Sequence, residues 1–214
     1  MKTCKNHYHP ELNRLCEVDI DFHDVMISST LPPMLDSDFK GVEYEDLFAN
    51  LSRKVIHQQL STKVAAVIEA RLLDACGGRI DASKVLTLTS EDLAKVGLSR
   101  SKQRAINELA SIFIADPDSM HAILSDNDEV VIERITSLYG FGHWSAQMFL
   151  LFDLGRRDVW APLDLGVRKG YQKLKGLEEV PTFGQLKGLS EIYSPIGSMA
   201  TWYLWRILEL PLPS

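Results

Sequence analysis

Apolar side chains recur at three- and four-residue intervals along most of this chain, and period-two alternation is nearly absent. Over residues 44–73 they fall at Leu47, Leu51, Val55, Ile56, Leu60, Val64, Val67 and Ile68, a helical stripe that Gly77-Gly78 ends. Thr89-x-x-Asp92 has the form of a capping box over a helix carrying Leu93 and Val96, with Gly97 as its stop. Ser99 starts a helix through Ile106, Leu109 and Phe113, and Asp116-Pro117-Asp118 breaks the chain. A short helix over 130–138 leads to a Gly140-x-Gly142 turn and a helix over 143–154. After Asp164 a helix runs to about Leu174. Pro181-Thr182 begins another through Leu186, and Pro195-Ile196-Gly197-Ser198 opens a final helix rich in aromatics. Residues 1–30 read as a polar arm with one or two short helices, and 31–39 as a turn-rich boundary. The pattern predicts an all-α fold of about ten short helices.

The chain has 214 residues, 45% of them hydrophobic, enough for one sizeable core or two small ones. No apolar run is long enough to span a membrane, and the N-terminal stretch lacks the apolar core of a secretory signal. Cys4, Cys16 and Cys76 are scattered, without the spacing of a disulfide framework or metal site. Cys76 reads as a buried helix residue, and His7 and His9 as solvated side chains. The expected home is the reducing cytoplasm or a nucleus.

The net charge of −6 argues mildly against a nucleic-acid partner, but the charge is uneven. The first 50 residues hold ten acidic and four basic side chains. Residues 156–175 hold six basic and two acidic, and Arg100, Lys102 and Arg104 form a second basic cluster. A local basic face can bind phosphate on an acidic protein.

The densest chemistry lies in 138–164, LYGFGHWSAQMFLLFDLGRRDVWAPLD. Glycines at 140 and 142 permit positive φ and close approach of a ligand to the backbone. The amides opening the next helix favour an anion. A plain helix–helix connection is the bland reading of that turn. Asp164 follows Pro162-Leu163 and precedes a helix, so it can be an N-cap. A helix N-terminus also favours negative charge there, and such a carboxylate can stabilise positive charge on a sugar.

LYGFGHWSA resembles the LPGIGRWTA hairpin of the helix-hairpin-helix (HhH-GPD) DNA glycosylases. DVWAPLDLGVRKG resembles that family's Pro-x-Asp segment, IHQQLSTKVAAVI its helix with a Gln-Gln or Gly-Gln turn, and SPIGSMATWYLWR its final Pro-x-x-Ser…Trp-Tyr-Leu-Trp helix. The four segments stand in family order over about residues 45–208 and look most like the alkylpurine, 3-methyladenine type.

The resemblance implies a two-lobed helical glycosylase fold with a cleft between the lobes: an N-terminal arm (1–44) packing with the C-terminal lobe, a central lobe (45–154) containing the hairpin (130–154), and C-terminal helices (155–214). Asp164 becomes the catalytic carboxylate, and Trp144, Met148, Trp202 and Trp205 the base pocket. Aromatic residues at helical spacing can equally be core. Indole rings suit a cationic alkylated purine. DNA contacts fall to Gly140, Phe141, Gly142, His143 and Ser145 of the hairpin and to Gln58, Gln59, Leu60 and Ser61 of the loop that enters the duplex. Gln59 or Leu60 is the wedge; a capped helix bend is the bland alternative. Backbone carbonyls of Thr136, Leu138 and Phe141 would hold a monovalent cation. An iron–sulfur cluster is not expected.

Relatives that also cut the strand carry a lysine where this chain has Trp144, and tryptophan cannot form a Schiff base. The expectation is therefore a monomeric, monofunctional glycosylase removing alkylated purines from duplex DNA in base excision repair. A non-catalytic binder of damaged or abasic DNA, or a glycosylase for another damaged base, are the alternatives. Two positions depart from the family pattern. Ile196-Gly197 stands where Tyr-Arg is common, and Leu163 where a first Asp is common.

Overall fold

The computed structural model describes residues 9–210, and among them every regular element is a helix. Cys4 and His7 lie outside the described residues. The chain clusters into two compact units, the first made of the N-terminal segment up to Gly41 and the chain from Gln147 onward, the second of Val42–Ala146. The boundary at 146/147 falls inside a helix, earlier than the end of the hairpin helix at which the sequence reading divides the chain.

The second unit contains α3 (Tyr44–His57), α4 (Thr62–Ala75), α5 (Ala82–Val85), α6 (Ser90–Val96), α7 (Arg100–Ala115), α8 (Pro117–Ala122) and α9 (Asp128–Ser137). The first unit begins with α1 (Pro10–Val18), α2 (Phe22–Ser28) and a 3-10 turn, Pro33–Leu35. It resumes within α10 (His143–Phe152) and continues through α11 (Leu165–Lys175), α12 (Phe183–Lys187), α13 (Ser190–Tyr193) and α14 (Gly197–Glu209). Fourteen α-helices among the described residues exceed the expected ten because short capped turns carry too few apolar residues to show a period. α8 is an example. Asp116-Pro117 reads as a break, yet proline at the first helical position loses no intrahelical bond, and the Asp116 carboxylate accepts from Ser119 N.

Caps set most of the boundaries. Thr89 and Asp92 form the expected reciprocal box, and Gly97 closes α6 at φ +107°, a left-handed conformation that favours glycine. A second box joins Thr182 and Gln185 at α12. Asn127 caps α9, so that helix starts two residues before the sequence reading places it.

In the second unit α3 packs on α4 and α7, burying Leu47, Leu51, Val55, Ile56, Leu72, Ile106 and Leu109. The stripe drawn across 44–73 does not survive intact. The chain turns between α3 and α4, the helical phase resets, and Leu60, Val64 and Val67 face solvent, while Ala65, Ile68 and Leu72 carry the buried face. Cys76 is buried at the end of α4, and burial raises its thiol pKa.

In the first unit α14 is the central element, packed against α1, α2, α11 and α13 around Leu12, Leu15, Phe22, Met199, Tyr203 and Leu204. Lys175 Nζ ties α11 to the N-terminal segment through Asp19 Oδ1 (2.6 Å) and Asp21 Oδ2 (2.8 Å), and Tyr193 donates to Asp19 Oδ2 (2.8 Å). α11 and α14 approach so closely that a Cβ on Gly170 would stand 1.9 Å from Leu204 O. A collision with backbone cannot be relieved by a rotamer change. Gly170→Ala is therefore expected to cost about 3 kcal/mol or more, at or above the upper end for overpacking, read by urea denaturation. A loss well under about 1 kcal/mol would contradict this packing.

Candidate active site and DNA-binding hairpin

Asp164 sits at the end of an irregular segment that follows α10. That segment has no helix or strand to pair its backbone, and buried unpaired peptide groups are costly. One face of α14 supplies the partners. Ser198 Oγ donates to Arg156 O (2.6 Å) and accepts from Val159 N (2.9 Å). Thr201 Oγ1 donates to Val159 O (2.9 Å) and accepts from Ala161 N (3.3 Å). Gln147 and the Trp160 indole add bonds to Trp160 O and Leu186 O. Trp205, four residues beyond Thr201 and so on the same helix face, donates from Nε1 to Asp164 Oδ1 (2.9 Å).

Asp164 Oδ1 also accepts from Val167 N (2.9 Å), so the residue is indeed the N-cap of α11. Capping does not displace a chemical role here, because the same bonds fix the half-buried carboxylate. Gly166 lets the Trp205 ring come in, since a Cβ there would meet both Asp164 Oδ1 and Trp205 Cδ1 at 2.9 Å. Phe152 stacks on Trp205 with ring centroids 5.6 Å apart and planes at 17°, and meets Trp202 edge-on at 6.4 Å. Carboxylate and aromatics thus form one group on the first unit.

Phe152 is absent from the sequence-derived pocket. α10, HWSAQMFLLF, is apolar on nearly every face, so its pattern singles out no functional side chain. Met148 lies one turn before Phe152 and is buried. Trp202 is held from both sides, its Nε1 donating to Thr30 O (3.0 Å) and the Arg206 guanidinium lying 4.6 Å over its ring. Trp144 belongs to the second unit and is 44% exposed.

Gly197 stands where the family pattern commonly has arginine. The residue is buried beneath the irregular segment, and a Cβ would stand 3.0 Å from both Asp158 Oδ1 and Trp160 N. Its N–H donates to Asp158 Oδ1 (3.1 Å). Packing explains the glycine.

On the second unit, α9, the turn and the start of α10 form the hairpin. Gly140 has φ +87°, and a Cβ there would approach Ala105 Cβ to 3.1 Å, so glycine is required for both conformation and space. Gly142 is different. It has no positive φ, and a Cβ would meet nothing within 4 Å. The space before its peptide is open, as close backbone approach by a phosphate requires. Gly142 and His143 are exposed, but the side chains of Phe141 and Ser145 are buried at 7% and 6% exposure. Those two anchor the turn through packing, which leaves Gly142 and His143 as its exposed residues. Leu138 O accepts from Phe141 N (3.1 Å). Thr136 lies in the last turn of α9, where carbonyls lack intrahelical donors. Each carbonyl oxygen keeps a second lone pair.

The loop between α3 and α4 adjoins the hairpin. Gln58 Nε2 donates to Gly140 O (2.8 Å), and Ser61 caps α4 by accepting from Val64 N. Gln59 and Leu60 are exposed. Gln59 has φ +57°, the single positive φ outside glycine among the described residues, a conformation that costs about 1–2 kcal/mol for a residue with a Cβ. Nearby, the Arg104 guanidinium lies 3.8 Å over the exposed Tyr139 ring.

Residues 53–195 match the model of the HhH-GPD superfamily of base excision DNA repair proteins. The chain is 38% identical over 138 residues to a DNA-3-methyladenine glycosylase of Saccharomyces cerevisiae, a match taking in 60% of this chain and 47% of that protein, so the chain spans about half of that relative's length. It is 31% identical over 175 residues to DNA-3-methyladenine glycosylase 1 of Schizosaccharomyces pombe, covering 80% of this chain and 76% of that one. Among solved structures, a DNA-3-methyladenine glycosidase from Bacillus halodurans superposes with TM-score 0.77 at 25% identity, over 92% of this chain and 88% of the other. The S. pombe 3-methyladenine glycosylase Mag1 in complex with abasic DNA superposes with TM-score 0.73 at 27% identity, over 97% and 95%.

Installing the family's arginine at 197 tests the packing argument. Gly197→Arg is expected to destabilise the protein by about 1–3 kcal/mol, seen as a lower melting temperature. Unchanged melting would mean that the segment is not seated on α14 as described.

Proposed function

This chain belongs to the HhH-GPD superfamily of base excision DNA repair proteins, and from that premise we propose that it is a monofunctional DNA glycosylase hydrolysing the N-glycosidic bond of alkylated purines, 3-methyladenine above all, in duplex DNA. The observation that carries the reading is the Asp164 carboxylate, held at Oδ1 by Val167 N and Trp205 Nε1 beside the Phe152–Trp205 stack. A carboxylate acting on a sugar must be fixed in direction, and two donors on one oxygen do that.

An alkylated purine carries positive charge and departs as a neutral base. The glycosidic electron pair leaves with it, and positive charge builds on the sugar. The anionic Asp164 stabilises that charge, and water then adds to the anomeric carbon and gives up a proton. A strong acid is not needed to expel such a base. Aromatic faces attract the cation before it leaves. Flipping the nucleotide costs a few kcal/mol of stacking and pairing, which a side chain from Gln59 or Leu60 offsets by filling the gap. The hairpin amides hold backbone phosphate, which positions the enzyme without reading sequence. A monovalent cation on the carbonyls of Thr136, Leu138 and Phe141 would strengthen that grip by its charge. The chemistry needs no redox cofactor, and the protein would work as a monomer wherever the cell keeps its DNA, in the cytoplasm or a nucleus.

Trp144 supports base removal without strand cutting. Lyase chemistry needs an amine to form an imine with the sugar, and an indole cannot provide one.

Purified protein is expected to release 3-methyladenine from methylated duplex DNA, leaving abasic sites whose cleavage requires alkali. Asp164→Asn should abolish release while leaving the melting temperature within a few degrees, since asparagine also caps helices. Full release by that variant would refute the mechanism, and strand scission by protein alone would refute the Trp144 argument. Binding to abasic DNA with no release from any lesion would favour the non-catalytic reading. A second variant isolates the indole. Trp205→Phe keeps an aromatic face but loses the N–H, and is expected to lower kcat at least tenfold with KM little changed, in line with about 1.5–3 kcal/mol for a hydrogen bond to a charged group.

A further inference from the structure

Lys102 belongs to α7, not to the hairpin or the insertion loop, yet its ammonium reaches both peptide oxygens that bracket the end of α3. Nζ donates to Ile56 O (2.6 Å) and Gln58 O (2.9 Å). Terminal helix carbonyls have no intrahelical donors and need a partner from elsewhere; here a single charge serves two. Burial lowers the pKa of this lysine. The next residue, Gln59, is the one left at positive φ. Gln58 is thus held twice, by its carbonyl on Lys102 and by its side-chain amide on Gly140 O.

We propose that Lys102 is a positioning residue for DNA insertion: its ammonium clamps the end of α3 so that the strained Gln59–Leu60 tip stands preformed and registered to the Gly140 hairpin. The inference rests on the glycosylase reading above, and adds to it a residue that touches neither base nor sugar. Without the clamp, the carbonyls of Ile56 and Gln58 turn to water, Gln59 relaxes toward negative φ, and Leu60 no longer stands where a wedge must. Each binding event then has to reform the loop, so the loss falls on insertion into paired DNA.

Three variants of the full chain test this: Lys102→Met, which keeps most of the apolar stem, Gln59→Gly, and the double variant. In the DNA-free protein, hydrogen exchange of the amides of residues 58–61 is expected to quicken in Lys102→Met while those of 105–113 stay protected. On a duplex carrying one alkylated purine, kcat/KM should fall about tenfold to a hundredfold. On a lesion placed opposite an abasic analogue, where the pair is already broken, it should fall much less. Gln59→Gly should rescue part of the Lys102→Met loss, read as a smaller effect of Lys102→Met on the Gln59→Gly protein than on the unaltered one, because glycine holds positive φ without strain. A lysine that merely packed α7 on α3 would show neither the substrate difference nor the rescue.

Unchanged loop exchange in Lys102→Met would overturn the proposal whatever the activity. Equal losses on both substrates, or no rescue by glycine, would overturn it too. If the unaltered protein releases no base from any methylated DNA, the glycosylase reading fails, and the exchange experiment still judges the clamp.

Discussion

Ser198, Thr201 and Trp205 face one way from α14 and give the irregular segment before α11 the hydrogen-bond partners that it cannot make for itself. A stretch with buried peptide groups and no helix or strand is stable only when something pairs those groups. The same row of side chains ends on Asp164. The bonds that make the segment foldable therefore also aim the carboxylate, which inherits the rigidity of a thirteen-residue helix. Glycines at 166, 170 and 197 are the counterpart of this arrangement. Each stands where a side chain would strike Trp205, the backbone of Leu204 or the segment itself.

The second unit solves a different problem. Its candidate site elements are a turn and a loop, and loops left to themselves are mobile. Gly140 allows the turn to pack against α7, the buried Phe141 side chain anchors it, and Gln58 ties the neighbouring loop to the Gly140 carbonyl. Gly142 is left with open space. The two glycines of one Gly-x-Gly motif therefore differ: the fold requires the first, and the second borders open space.

Much of this was legible in the residues. The helix stops and starts at Thr89, Gly97, Ser99 and Asp164 are local, set by side chains within four positions of the backbone groups they cap, so sequence displays them directly. The family itself is legible in four short motifs that stand in order, and the family-model match over residues 53–195 agrees. Leu60, Val64 and Val67 were misjudged because a periodic stripe does not record where the chain turns and its phase resets. Phe152 sits on a helix that is apolar on nearly every face, so its pattern does not single it out. Lys102 reads from sequence as part of a basic cluster with Arg100 and Arg104, and its carbonyl partners, about 45 positions away, are given only by the fold.

The sequence by itself determined the helical class, the caps, the Gly-x-Gly turn and the family, because each is written in neighbouring residues or in a short motif. Only the tertiary structure decided that Gly197 is packed beneath the irregular segment, that Trp205 spends its N–H on Asp164, and that the loop tip is held in a left-handed conformation. Each of those depends on the distance between groups far apart along the chain, and packing alone sets that distance.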